Sequence, residues 1–224
     1  MNFSLNKRFI VTGVPRSGTT FVCKKISELH TVHMDLKPGY EPFGPDGGVL
    51  DEEIYLRRLV QDNPNKIVGL KTWWGESYLL SQHMKLYDPI VVLRKDIHKV
   101  FLSYVIMMRK GFDENHSSRN RPGVESIEHT DYSLRYLAHS VLKSYYYTEK
   151  MTYLFKLYFE DLSKDNPSLD DYFEANLDLD PGYKETDLTD YHPDPQRYLD
   201  VLKSTALSMD HKKFPDYIRE KMYI

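Results

Sequence analysis

The sequence predicts an α/β protein of three layers, α/β/α, with a parallel sheet at its centre. Three observations predict it. Short apolar runs alternate with amphipathic helical stretches, the pattern of a sheet buried on both faces. The first run leads through a glycine frame, Gly13-Val14-Pro15-Arg16-Ser17-Gly18, into a helical pattern, in the order strand, glycine loop, helix. The 224 residues suffice for one domain with a real core, so residues 1–224 are expected to form a single domain.

Residues 8–13 are β-branched and aromatic and read as the first strand. Phe21, Val22, Ile26 and Leu29 recur at helical spacing, giving a helix over about 18–30. Further strands are expected at 67–71 (Ile-Val-Gly-Leu-Lys), 89–94 (Pro-Ile-Val-Val-Leu-Arg) and 153–159. Further helices are expected at about 51–62, 76–86, 96–110, 131–150, 168–176, 196–208 and 211–222. Three stretches, 37–49, 112–124 and 178–195, are rich in Gly, Pro, Asp or Asn and read as long loops that could wall a ligand crevice.

Composition narrows the function. A net charge of −3 gives no global basic field for nucleic acid. One cysteine, Cys23, allows no intrachain disulfide, and together with the absence of room for a signal peptide before the first strand it predicts a cytoplasmic protein. No apolar run reaches 18 residues, so no membrane span is expected. The 18 Tyr, 10 Phe and 2 Trp read as core and cleft lining.

The glycine loop is built for an anion. Helix N-termini offer free N–H groups and partial positive charge, and Gly13 and Gly18 let the backbone curl close to a phosphate. A Walker A loop would carry Lys after the second glycine, followed by a hydroxyl residue on Mg²⁺. Here Thr19 stands in the lysine position and the charge sits at Arg16. A second segment, Arg94-Lys95 ending a strand and Ser103 about two turns into the next helix, could grip another phosphate from two sides.

Taken together, these residues resemble the PAPS-dependent sulfotransferases. Thr12-Gly13-Val14-Pro15-Arg16-Ser17-Gly18-Thr19-Thr20 is similar to that family's 5′-phosphosulfate loop. The segment Arg94/Lys95…Ser103 resembles its 3′-phosphate motif. Lys156-Leu157-Tyr158-Phe159-Glu160-Asp161-Leu162 resembles its Tyr-Glu-Asp-Leu strand end. The resemblance implies a P-loop NTPase-like fold and a donor, 3′-phosphoadenosine 5′-phosphosulfate (PAPS), released as PAP. It implies that Arg16, Ser17, Gly18, Thr19 and Thr20 hold the 5′-phosphosulfate, that Arg94 or Lys95 with Ser103 holds the 3′-phosphate, and that Phe159 lies at the adenine. Arg94 precedes Ser103 by nine positions and Lys95 by eight; the family spacing is eight. No metal is expected, because a sulfuryl group carries less charge than a terminal phosphate and no ligand cluster has metal spacing.

Sulfuryl transfer also needs a general base. The cytosolic branch uses a His in Lys-Thr-His, whereas this chain reads Lys71-Thr72-Trp73, and Trp cannot take a proton. Glu41, in Gly39-Tyr40-Glu41-Pro42-Phe43, is placed like the carboxylate base of the tyrosylprotein and bacterial branches. His33, Asp35, Glu76 and His116 are its rivals. The acceptor is expected to be a small-molecule, carbohydrate or tyrosyl hydroxyl, with Trp73, Trp74, Tyr40 and Phe43 as candidate lining. The competing class is a small P-loop kinase of a nucleoside or metabolite; the missing lysine and the second anion motif favour the sulfotransferase.

Overall fold

Five parallel strands form one sheet, in a computed structural model that describes residues 7–35, 52–72, 87–109, 130–182, 194–210, 212 and 214–222. The strands are β1 (Arg8–Gly13), β2 (Val32–Asp35), β3 (Ile67–Lys71), β4 (Asp88–Leu93) and β5 (Phe155–Tyr158). Their spatial order is β2-β3-β1-β4-β5. Parallel strands buried on both faces read as continuous apolar runs, and β1, β3 and β4 are buried at every position after the first. Helices are α1 (Thr19–Ser27), α2 (Glu52–Gln61), α3 (Ile97–Arg109), α4 (Asp131–Thr148), α5 (Pro167–Phe173), α6 (Pro195–Ser208) and α7 (Asp216–Met222). The expected helix at 76–86 lies outside the described residues.

The chain divides into two compact units, Met1–Leu93 with Met151–Gly182, and Arg94–Lys150 with Tyr183–Ile224. The first unit holds the sheet. Register fixes which side chains share a face: Phe9 pairs with Gly69, Val11 with Ile90, and Val32 with Ile67. On that face Phe9, Val11, Val32, Met34, Ile90 and Val92 meet Val22, Cys23 and Ile26 of α1 and Leu169 and Phe173 of α5. On the other face Ile10, Val68 and Leu70 meet Leu59 of α2. Helices on both faces give the α/β/α layering. Burying each such side chain contributes roughly 1.5–3 kcal/mol, so a charge at Ile10 or Val11 would break this layer. Tyr172 of α5 donates a hydrogen bond to the Asp88 carboxylate at 2.8 Å and ties α5 to the start of β4. Burial, and after it that carboxylate, pushes the Tyr172 phenol well above its ordinary value.

The second unit is helical among the described residues. α4 buries Leu134, Leu137, Ala138, Val141, Leu142 and Tyr145, the 3–4 spacing of one helical stripe. It packs against α6, which buries Tyr198, Val201, Leu202, Thr205 and Ala206. Both helices are capped by their own side chains. Thr130 accepts from the Ser133 N–H at 3.2 Å, and Asp194 accepts from the Arg197 N–H at 3.0 Å. Among the described residues no helix is long and apolar enough to cross a membrane.

Candidate anion site

Chain direction locates the candidate ligand end of the sheet. From β1 the chain runs through α1 to β2 on one side; after β4 it next enters the sheet at β5 on the other. Between β1 and β4 the connections therefore diverge, and an open parallel sheet takes its ligand beyond the carboxyl ends at such a point. The Gly13–Gly18 loop stands at the carboxyl end of β1.

The loop is held tightly. A Cβ at Gly13 would lie 2.0 Å from the Val92 carbonyl oxygen, so only glycine lets β1 approach β4 there. The buried Ser17 hydroxyl donates to that same carbonyl at 2.7 Å, and the Ser17 N–H donates to Val14 O at 3.1 Å. Arg16 (φ 68°) and Gly18 (φ 96°) are both left-handed, with Ser17 between them. Such alternation turns successive N–H groups toward one concavity that suits an anion. A non-glycine residue in this region costs on the order of 1–3 kcal/mol. The other one among the described residues, Glu174, is the C-cap of α5, where left-handed backbone is ordinary; Arg16 has no such excuse.

Gly18 is the N-cap of α1 and supplies no side-chain cap. The first helical bond runs from the Val22 N–H to Gly18 O, and the N–H groups of Thr19 and Thr20 make no hydrogen bond among the described residues. No acidic side chain lies in the first turn, while Lys24 and Lys25 complement the dipole in the last. The helix start is thus open to an external anion.

Lys71, which in the sequence stands out only as the start of Lys71-Thr72-Trp73, is a buried cation. It ends β3 beside Val11 of β1 and is only 6% exposed. A charged residue closing the apolar run Ile-Val-Gly-Leu was the available signal. Thr12 and Thr72, at the same ends of β1 and β3, are buried with hydroxyls that make no hydrogen bond among the described residues. An unmade bond of this kind costs about 1–3 kcal/mol.

The second candidate segment is described within its own unit. Arg94 follows the last residue of β4 and is half-buried, Lys95 is exposed, and Ser103 is half-buried on α3. The Arg94 carbonyl accepts from the Tyr145 hydroxyl at 2.7 Å. Asp96 accepts from the Lys99 N–H at 3.2 Å, capping α3, and pairs with Lys221 at 3.5 Å. Burial lowers the pKa of half-buried His98, with Asp96 opposing and Lys221 reinforcing the shift.

The remaining expected residues are scattered. Phe159 opens a 3-10 turn, Phe159–Asp161, directly after β5 and is buried against Gly18 and Phe21. His33 lies within β2, paired with Val68, and Asp35 ends that strand. Glu41, Glu76, His116, Tyr40, Phe43, Trp73 and Trp74 lie outside the described residues.

No family model, curated protein or solved structure matches this chain.

Proposed function

We propose that this chain is a PAPS-dependent sulfotransferase that moves a sulfuryl group to an acceptor hydroxyl by in-line displacement. The observation that carries the reading is the uncapped start of α1, where Arg16 and Gly18 are both left-handed and the Thr19 and Thr20 N–H groups are open. A loop with those donors, and with Thr19 in place of a Walker lysine, suits a 5′-phosphosulfate.

In the proposed reaction the acceptor oxygen bonds to sulfur while the bond from sulfur to the 5′-phosphate oxygen breaks. Products are the sulfated acceptor and PAP. Negative charge grows on the leaving phosphate oxygen. The loop N–H groups are held by the backbone, and Arg16 with buried Lys71 would supply positive charge, so the growing charge is met with little reorganisation. Glu41 takes the acceptor proton. Arg94 or Lys95, with Ser103, holds the 3′-phosphate, a group that ATP lacks. The Ser17 hydroxyl, engaged by Val92 O, acts by holding the loop.

The test is transfer from sulfur-labelled PAPS to a panel of phenols, sugars and tyrosyl peptides. At least one hydroxyl acceptor should be labelled, and Glu41→Gln should lower that rate about 10²-fold or more. No transfer to any acceptor counts against the enzyme reading, and a Glu41→Gln variant of normal rate would move the base elsewhere.

A further inference from the structure

Gly18 is the residue on which the anion loop turns, and glycine populates both signs of φ about equally. Something must hold it at φ 96°. The N-cap has no side-chain bond to do so. What lies against it is a ring. A Cβ built on Gly18 would fall 2.2 Å from Cδ2, 2.7 Å from Cε2 and 3.3 Å from Cγ of Phe159. The Phe159 ring therefore fills the space that a side chain at residue 18 would need. The same ring meets Phe21, in the first turn of α1, edge to face, with centroids 5.8 Å apart at 75°. Phe159 is 4% exposed. It thus touches the loop–helix junction on both sides of the open Thr19 and Thr20 N–H groups.

Its own position is fixed by the sheet. Phe159 directly follows β5, and β5 pairs with β4 through Leu157 opposite Val92 and Tyr158 opposite Leu93. Val92 is also the residue whose carbonyl receives the Ser17 hydroxyl. Two ties therefore run from the β4–β5 edge to the loop, one polar at Ser17 and one apolar at Gly18.

We propose that Phe159 is a positioning residue for the anion loop: its ring holds Gly18 left-handed and so keeps the N–H groups at the start of α1 aimed at the bound anion. This role rests on the anion-site reading above and differs from an adenine contact. If the ring were lost, Gly18 would spend only part of its time in the competent conformation. Apparent affinity for any anion in the loop would fall by that fraction.

The two roles separate on a ligand without adenine. Calorimetric titration of the full chain with PAP and with inorganic pyrophosphate would be run on wild type, Phe159→Leu, Phe159→Met and Phe159→Tyr. Phe9→Leu would serve as control. Phe9 also sits on a glycine, with its Cζ 2.0 Å from a Cβ at Gly69, but inside the core. Phe159→Leu and Phe159→Met should each weaken both ligands by the same factor, about ten-fold. With two truncations, a folding failure in one leaves the other to decide. Phe159→Tyr should restore binding, because its ring is intact. Phe9→Leu should lower thermal stability and leave both affinities unchanged. Weaker PAP binding with unchanged pyrophosphate binding would make the ring an adenine contact and overturn the proposal, as would unchanged binding of both. A wild type that binds neither ligand would overturn the anion-site reading itself, and this role with it.

Discussion

Two helices begin directly beyond the carboxyl ends of adjacent parallel strands, and they begin differently. α1 follows β1 through a left-handed glycine with no side-chain cap and no acid in its first turn. α3 follows β4 through Asp96, whose carboxylate already receives the Lys99 N–H and pairs with Lys221. The first helix start has no side-chain cap; the second is capped by its own chain. On the proposed reading the two starts serve two kinds of recognition. Backbone donors and Arg16 would serve the first segment. Side-chain charges and a hydroxyl, from Arg94, Lys95 and Ser103, would serve the second. A rigid backbone cradle suits the group where charge develops, whereas side-chain clamps suit a group that only has to be held.

Breaking the first helix start should have the largest effect. Gly18→Ala combines a strained left-handed alanine, about 1–3 kcal/mol, with a Cβ driven into the Phe159 ring. PAP affinity measured by calorimetry should fall on the order of 100-fold or more while circular dichroism remains native. Normal binding would remove the loop from the donor site.

A smaller loss is expected in the second segment. Arg94→Ala or Lys95→Ala, whichever removes the 3′-phosphate ligand, should weaken PAP by about ten-fold, the worth of a charge-assisted contact. Neither should change affinity for adenosine 5′-monophosphate, which lacks that phosphate. Equal losses for both nucleotides would mean that the segment does not read the 3′-phosphate.

Asp96→Ala should cost about 1 kcal/mol of stability through loss of the α3 cap, readable by urea unfolding, with PAP affinity unaltered. An affinity loss matching the Gly18→Ala loss would erase the contrast between the two helix starts.

The smallest expected effect is pH dependence at His98. Burial holds its folded pKa below the ordinary 6.5, so the fold favours the neutral ring. Below about pH 6.5 the unfolded chain binds the proton more readily. Stability should therefore fall as pH drops from 6.5 toward the folded value, and His98→Gln should flatten that part of the profile. An unchanged slope would place its cause in other groups.

Much of the sheet was legible because buried parallel strands write themselves as apolar runs. β1 and β3 fall on the expected residues, and β4 is displaced by one. β5 is shorter than expected because Tyr153 and Leu154 are exposed at one end and Phe159 turns into a 3-10 helix at the other. β2 was missed. Only Val32 and Met34 of its four residues face the core, while His33 and Asp35 drew notice as chemistry. α7 begins at Asp216 instead of 211, after Pro215.

The order strand, glycine loop, helix was legible, since β1 and α1 flank Gly13–Gly18 as expected. The loop's supports were not, because they come from distant sequence. Nothing near residue 17 names Val92 as the acceptor of its hydroxyl, and nothing near Gly18 names the Phe159 ring. The Asp96 cap could have been read, since an acid directly precedes an apolar helical run.

The central claim is that this loop takes a phosphosulfate donor with a 3′-phosphate and not ATP. Calorimetric titration with PAP and with ATP–Mg²⁺ tests it most directly. The account predicts saturable PAP binding and much weaker binding of ATP–Mg²⁺; tight ATP–Mg²⁺ binding with no PAP binding would contradict it.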